Sequence, residues 1–231
     1  MLFKKKKKPV SGSEKIRKFG KSLDFASIEA YNLLRTNLSF ALPDKEGGRV
    51  IGVTSPCPQE GKSTTSLNLA FSLAEAGNSV LLMDADMRRP SLGRVINIPR
   101  VPGLSNVLMD GNFEKAIHAG DFHKNLTILL SGDIPPNPSE LVASQRMKEL
   151  VEELQKIYDY VIVDLPPVNL VADPIAVSKH LDGMVVVVRH KHTRRRELLE
   201  TIRQLELVGA KILGFVYNGM YKSKAYYKSS N

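Results

Sequence analysis

Val50-Ile-Gly-Val-Thr54-Ser-Pro56-Cys57-Pro58-Gln59-Glu60-Gly61-Lys62-Ser63-Thr64-Thr65 is the stretch on which the fold turns. Its first five residues are β-branched apart from Gly52, as a buried strand requires. Pro56, Pro58 and Gly61 then break the chain before a helical segment, Lys62 to Ala76, which Gly77 closes. In strand, loop, helix order, a Gly-Lys-Ser step becomes an anion site: loop amides and the helix N-terminus face a phosphate, Lys62 reaches the β/γ-phosphates and Ser63 ligates Mg²⁺. Pro58, Gln59, Glu60, Gly61, Lys62, Ser63 and Thr64 are therefore the candidate nucleotide-binding residues. The full eight-residue pattern would have glycine at position 56, where this chain has Pro56. It is the placement, rather than the string, that carries the reading.

Working outward, further apolar runs recur at Val80–Met83, Leu126–Leu130, Tyr160–Val163, Met184–Val188 and Ile212–Tyr217. Several are apolar on successive residues, the pattern of strands covered on both faces. Helical segments are expected at Phe25–Leu42, ended by Pro43, at Ser139–Lys156, and at Thr193–Val208, closed by Gly209. The alternation predicts an α/β fold of the P-loop NTPase class, a mostly parallel, doubly wound sheet flanked by helices, with ligands outside the carboxyl ends of its strands.

The 231 residues suffice for one such domain, and a single cysteine excludes a disulfide framework or a multi-cysteine metal cluster within one chain. The formal charge is +9, but it is concentrated at the ends. Residues 1–21 carry nine Lys/Arg against Glu14 alone, and Lys222, Lys224 and Lys228 add to the far end, leaving the 22–220 body at −2. Residues 1–24 read as a basic arm, 25–220 as the folded domain and 221–231 as a tyrosine-bearing tail. No run of 18 apolar residues spans a bilayer, and no apolar h-region follows the basic start, so the chain is expected in the cytoplasm. The Lys4–Lys8 run suits either an anionic membrane leaflet or a solvated tail, and lacks the interleaved aromatics of a nucleic-acid surface.

Carboxylates stand where the phosphates should lie. Leu81-Leu-Met-Asp84-Ala-Asp86-Met-Arg88-Arg89 places two aspartates at i and i+2 at a strand end, on one side of an extended chain. Tyr160-Val-Ile-Val-Asp164-Leu-Pro-Pro167 adds a third at another strand end, a position suited to Mg²⁺. Cys57 reads as a small loop residue rather than a reactive thiol, and His190 and His192 sit among arginines that disfavour a metal site.

These three elements resemble the Walker A, A′ and B motifs of bacterial tyrosine kinases, in particular the cytoplasmic kinase subunit used by Gram-positive bacteria in capsule and exopolysaccharide synthesis. The likeness continues through Gly103-Leu-Ser105, Ser131-Gly-Asp-Ile-Pro-Pro-Asn-Pro-Ser-Glu140, Asp173-Pro-Ile-Ala and Gly214-Phe-Val-Tyr-Asn218. It implies that Lys62 stabilises the transferring phosphoryl, that Ser63, Asp84 and Asp164 organise Mg²⁺, that Asp86 orients the tyrosine hydroxyl and accepts its proton late, and that Arg88 contacts phosphate or substrate, a structural ion pair being the other reading. It implies that Asn218 faces the adenine, and that Tyr221, Tyr226 and Tyr227 are autophosphorylated in trans within a ring of subunits. In the family the ring is joined by a Glu-x-x-Arg-x-x-Arg helix. Here that helix, within residues 25–42, carries Glu29, Asn32 and Arg35, so one charge-assisted contact is missing.

Gln59 stands where the family has glycine, at a cost on the order of 1 kcal/mol if the position needs positive φ, with reduced activity expected. The implied partners are Mg·ATP, the cytoplasmic segment of a membrane-anchored activator, a cognate tyrosine phosphatase, other protein substrates and an anionic membrane at the inner face, with no nucleic acid. Two other readings stay open on the residues: a switch ATPase of the septum-positioning or partition type, which usually has a lysine where this chain has Cys57, and a polybasic adaptor that binds nucleotide without turnover.

Overall fold

The computed structural model describes residues 23–42 and 44–220. The basic arm up to residue 22, Pro43 and the tail tyrosines Tyr221, Tyr226 and Tyr227 lie outside the described residues. In chain order the elements are α1 (Phe25–Ala41), β1 (Arg49–Thr54), α2 (Lys62–Glu75), β2 (Val80–Asp84), α3 (Leu92–Ile96), α4 (Leu104–Asp110), β3 (Ile117–His123), β4 (Leu126–Leu129), α5 (Pro138–Ala143), α6 (Gln145–Ile157), β5 (Tyr160–Asp164), α7 (Asp173–Ser178), β6 (Gly183–Arg189), α8 (Arg195–Leu207) and β7 (Ile212–Asn218).

The strands form one seven-stranded sheet in the order β3-β4-β2-β5-β1-β6-β7. Every pairing is parallel except β3 with β4. Successive residues of the central strands point to opposite faces, and both faces are covered. Val50, Val161 and Val163 pack with Met147, Val151 and Leu154 of α6 on one side. Ile51, Val53 and Ile162 pack with Leu67, Leu69 and Leu73 of α2 and Leu38 of α1 on the other. This double burial is why the strands lack polar alternation.

Two departures from the expected elements have local causes. The Ser139–Lys156 segment is not one helix, because Ser144 takes an extended conformation, φ −68° and ψ 158°, and caps α6 by accepting from Met147 N. Strand β3 was not expected. It is the edge strand, its residues mostly partly or fully exposed, so its sequence lacks the apolar run that betrays the inner strands. The short helices α3, α4, α5 and α7, of five to seven residues, are likewise too brief to show periodicity.

Strand β5 lies between β1 and β2, in register with Asp164 beside Asp84 and beside Val53 of β1. The carboxyl ends of these three strands therefore open onto one edge, directly under the N-terminus of α2. Ser144→Ala is expected to cost about 1 kcal/mol, the usual worth of an N-cap, read as a lower urea midpoint with an unchanged slope.

Candidate functional site

The loop before α2 holds a strained conformation that its neighbours impose. Gly61 sits at φ 95°, which side-chain-bearing residues rarely adopt, and a Cβ there would lie 2.1 Å from Asn218 Nδ2 and displace that amide. Gln59 also has positive φ, 63°, the strained state anticipated for it. Its carbonyl accepts from Arg189 Nη1 at 2.8 Å, which ties the strained residue to the end of β6. Asn218 Nδ2 donates to Glu60 O at 2.9 Å. Its amide is thus engaged with the loop backbone.

Glu60 is fully buried and turned away from the cleft. Its carboxylate accepts from Cys57 N at 3.0 Å and from the Thr193 hydroxyl. Burial raises its pKa, while those hydrogen bonds work in the opposite direction. His192 Nε2 lies 3.1 Å from Pro58 O. The turn between β6 and α8 is therefore a brace for the loop, a role that sequence reading missed for Arg189 and Thr193. Burial, with Glu197 and Glu60 nearby, pushes the Cys57 thiol up to about 11, so it is held as the inert thiol.

The first turn of α2 opens a cleft of about 760 Å³ lined by Gln59, Gly61, Lys62, Ser63 and Thr64 on one side and Asp86, Arg88, Ser91, Pro166 and Pro167 on the other. The Thr65 N–H is the first that bonds back within the helix, to Gly61 O at 2.9 Å. The preceding amides have no intrahelical acceptor and suit an anion.

Lys62 is the centre of the charge cluster. Its ammonium donates to Asp86 Oδ2 at 2.9 Å and lies 3.9 Å from Asp164 Oδ1. Burial pulls its pKa down, but Asp164 and Asp86 more than offset this and hold the amine charged. Strand β2 ends at Asp84, so Asp86 is not carried on an extended strand as expected. It follows instead in irregular chain, with Asp86 N donating to Asp84 Oδ1 at 3.1 Å and Arg89 N donating to Asp86 Oδ1 at 2.9 Å. Asp164 Oδ1 accepts from Ser66 Oγ at 3.0 Å, and Ser91 Oγ donates to Ser63 Oγ at 2.8 Å. Ser66 and Ser91 carried no sequence signal, because lone serines do not announce their neighbours.

Asp84 Oδ2 and Asp164 Oδ2 are buried with no hydrogen-bond donor. Burial raises both pKa values, and for Asp84 the neighbouring Asp164 adds to it. Three carboxylates face one ammonium, and with all three ionised a divalent cation would neutralise the two negative charges in excess. Among the described residues no three His, Cys, Asp or Glu side chains converge as a self-contained metal site. That fits Mg²⁺, which usually takes one or two carboxylates and completes its shell with water and substrate phosphates.

Arg88 pairs with buried Asp173, Nε to Oδ2 at 2.9 Å and Nη2 to Oδ1 at 3.1 Å, and Nη2 also donates to Ser139 Oγ at 2.8 Å. The ion pair expected as one of its two roles is present, and Arg88 also lines the cleft. It joins the segments that begin α5 and α7 to the cleft. On α1, Asn32 Nδ2 donates to Glu29 Oε1 at 3.0 Å and its Oδ1 accepts from Ser72 Oγ at 3.3 Å, while Arg35 Nη1 donates to Ser72 O at 2.7 Å. The substituted asparagine thus links Glu29 and Arg35 through α2. Among the described residues no helix is long and apolar enough to cross a membrane.

Residues 48–211 match the AAA domain family. The tyrosine-protein kinase YwqD of Bacillus subtilis is 41% identical over 197 residues, covering 85% of this chain and 82% of the relative. Among solved structures, the chimerical protein CapA2B2 superposes with a TM-score of 0.83 at 36% identity, covering 90% of this chain and 91% of that one. The kinase domain of Escherichia coli tyrosine kinase ETK gives 0.82 at 31% identity, covering 97% and 86%. A septum site-determining protein from Pyrococcus horikoshii in complex with Mg-ADP, at 24% identity and a TM-score of 0.63, shares the fold.

Asp84→Asn keeps the acceptor for Asp86 N and removes a buried charge. It is expected to stabilise the nucleotide-free protein by about 0.5–2 kcal/mol while abolishing the extra thermal stability conferred by Mg²⁺ with nucleotide. Because the folded chain holds the Asp84 pKa above its unfolded value, folding takes up protons, and stability falls as pH rises through that raised range. The variant should show a shallower fall, measured by urea titrations at several pH values.

Proposed function

This chain belongs to the bacterial tyrosine kinase family and is an ATP-dependent protein tyrosine kinase, and from that premise we propose how its own residues divide the task. The observation that carries the proposal is the Lys62 ammonium held 2.9 Å from Asp86, beside the donorless carboxylate oxygens of Asp84 and Asp164. The loop Pro58 to Thr64 receives the phosphates through its backbone amides, with Asn218, Arg189 and Glu60 keeping that loop in shape. Lys62 exchanges Asp86 for the γ-phosphate, which delivers positive charge to the transferring group and frees Asp86. Asp86 then orients the incoming phenol and accepts its proton late, since a phenol with pKa near 10 (roughly) is not deprotonated beforehand at neutral pH. As the tyrosine oxygen bonds to the γ-phosphorus, the bond to the β–γ bridging oxygen breaks and ADP leaves.

Ser63, Asp84 and Asp164 are the residues that would hold Mg²⁺, which when bound neutralises charge on the β- and γ-oxygens. Positioning and charge neutralisation supply most of the acceleration in such loose transition states. The acceptors are Tyr221, Tyr226 and Tyr227, presented by another copy, since a tail leaving a compact body does not readily fold back in line with its own phosphate site. Glu29, Asn32 and Arg35 on α1 are the contact between copies. The wider assignment is regulation of capsular or exopolysaccharide synthesis at the inner membrane face, with a membrane-anchored activator segment as partner, a cognate phosphatase as antagonist, and the lysines of residues 4–8 assisting attraction to anionic lipid.

Incubation with Mg·ATP, with and without an activator segment, followed by mass-spectrometric mapping, tests this reading. Phosphotyrosine at Tyr221, Tyr226 or Tyr227 is expected, falling by at least about 100-fold in Lys62→Met and Asp86→Asn, the scale of losing an electrostatic stabiliser. Inorganic phosphate released without phosphotyrosine would point to a switch ATPase instead.

A further inference from the structure

Beside the catalytic cleft lies a second cavity of about 870 Å³, walled by the segment between β2 and α4 and by Ile134. Arg89, Arg94 and Arg100 line it, and no aspartate or glutamate does. Among the described residues no carboxylate or other acceptor engages any of the three guanidinium groups. Three uncompensated cations around one concavity repel each other unless an anion joins them. Apart from Asn97 the remaining wall carries no polar side chain, and Pro90, Ile98, Pro99 and Ile134, the last 56% exposed, give it an apolar face. Planar guanidinium forks beside an apolar wall match an aromatic ring that carries a phosphate.

We infer that this cavity is a docking site for phosphotyrosine, occupied by an already phosphorylated tyrosine of another copy's tail while the next tyrosine enters the catalytic cleft. The inference rests on the kinase reading above, which supplies the phosphotyrosine. Two features of this chain favour the tail as occupant. Arg89 and Arg94 line both cavities, and Arg89 N donates to Asp86 Oδ1, so the two sites share a wall. Tyr221 and Tyr226 are five positions apart, a reach of at most roughly 18 Å when extended, which suits neighbouring sites.

Charge points the same way. The unmodified tail carries Lys222, Lys224 and Lys228 and is repelled by the arginines. Each phosphate adds about −1.5 to −2 charge and three acceptor oxygens, reversing the sign of the encounter. The first transfer is therefore the slow one, and later transfers on the same tail benefit from the docked phosphate.

The test uses the full chain without ATP, so that no transfer occurs and the result is independent of whether the protein is a kinase. Fluorescence anisotropy is measured with a labelled peptide of the 220–231 sequence, phosphorylated at Tyr226 or unmodified. The phosphorylated peptide is expected to bind at least about ten-fold more tightly, as one or more charge-assisted contacts would give. Phenyl phosphate should compete better than inorganic phosphate. Arg100→Gln, alone and with Arg94→Gln, should remove the preference for the phosphorylated peptide. Arg100 lies outside the nucleotide cleft, so unchanged binding of a fluorescent ADP analogue by Arg100→Gln verifies that the variant is folded. Equal binding of the two peptides, or a preference that survives both substitutions, would overturn the inference. So would a phosphopeptide displaced by ADP and insensitive to Arg100→Gln, since its phosphate would then sit in the loop before α2.

Discussion

Lys62 is surrounded by more negative charge than it can neutralise, and much of the surrounding structure serves that imbalance. Asp84 and Asp164 end two adjacent parallel strands in register, both fully buried, each with one oxygen lacking a donor. Carboxylates kept this way are costly for the empty protein, since burial without pairing disfavours the charged form. The cost is tolerable because the sheet beneath is apolar on both faces and closely packed. On the function proposed above, a nucleotide's phosphates and a cation would complete the cluster and offset that cost.

The loop that faces this cluster is held from behind. Gly61 takes φ 95° with the Asn218 amide seated where a Cβ would be, and Gln59 keeps a positive φ with its carbonyl engaged by Arg189. Glu60 is buried against Cys57 N and Thr193. The ends of β6 and β7 thus determine the shape of a loop that follows β1. An adjacent proline-rich segment and the start of α7 are fastened through Arg88, Ser139 and Asp173. These sequence motifs are far apart in the chain, yet they meet in one ion-pair network beside the cleft.

Much of this was legible beforehand, for identifiable reasons. The inner strands announced themselves because strands buried on both faces are apolar on consecutive residues, and Gly77 and Gly209 marked helix ends through the positive φ they adopt, 95° and 70°. Asp84 and Asp164 stand out because charged residues at the ends of apolar strands are conspicuous, and Lys62 because a Gly-Lys-Ser step opens a helix after a strand and a loop. Asp86 lies two residues beyond the end of β2, in irregular chain, and meets Lys62 at 2.9 Å. Strand β3, the break at Ser144 and the short helices escaped because exposed or brief elements leave no periodic signal.

By itself, the order of residues determined the class of fold, the register of burial along each inner strand, and which side chains could meet a phosphate. Those follow from local chemistry: β-branched runs, glycine at left-handed positions, and carboxylates where apolar strands stop. Only the tertiary structure decided the partners. That Asn32 links Glu29 to Arg35 by way of Ser72, that Asn218 serves the loop backbone, that Arg88 is bound to Asp173, and that Arg89, Arg94 and Arg100 share a cavity without an acid are all facts of long-range packing. A side chain's hydrogen-bonding capacity is written in the sequence, but which group satisfies it depends on segments brought together only when the sheet closes.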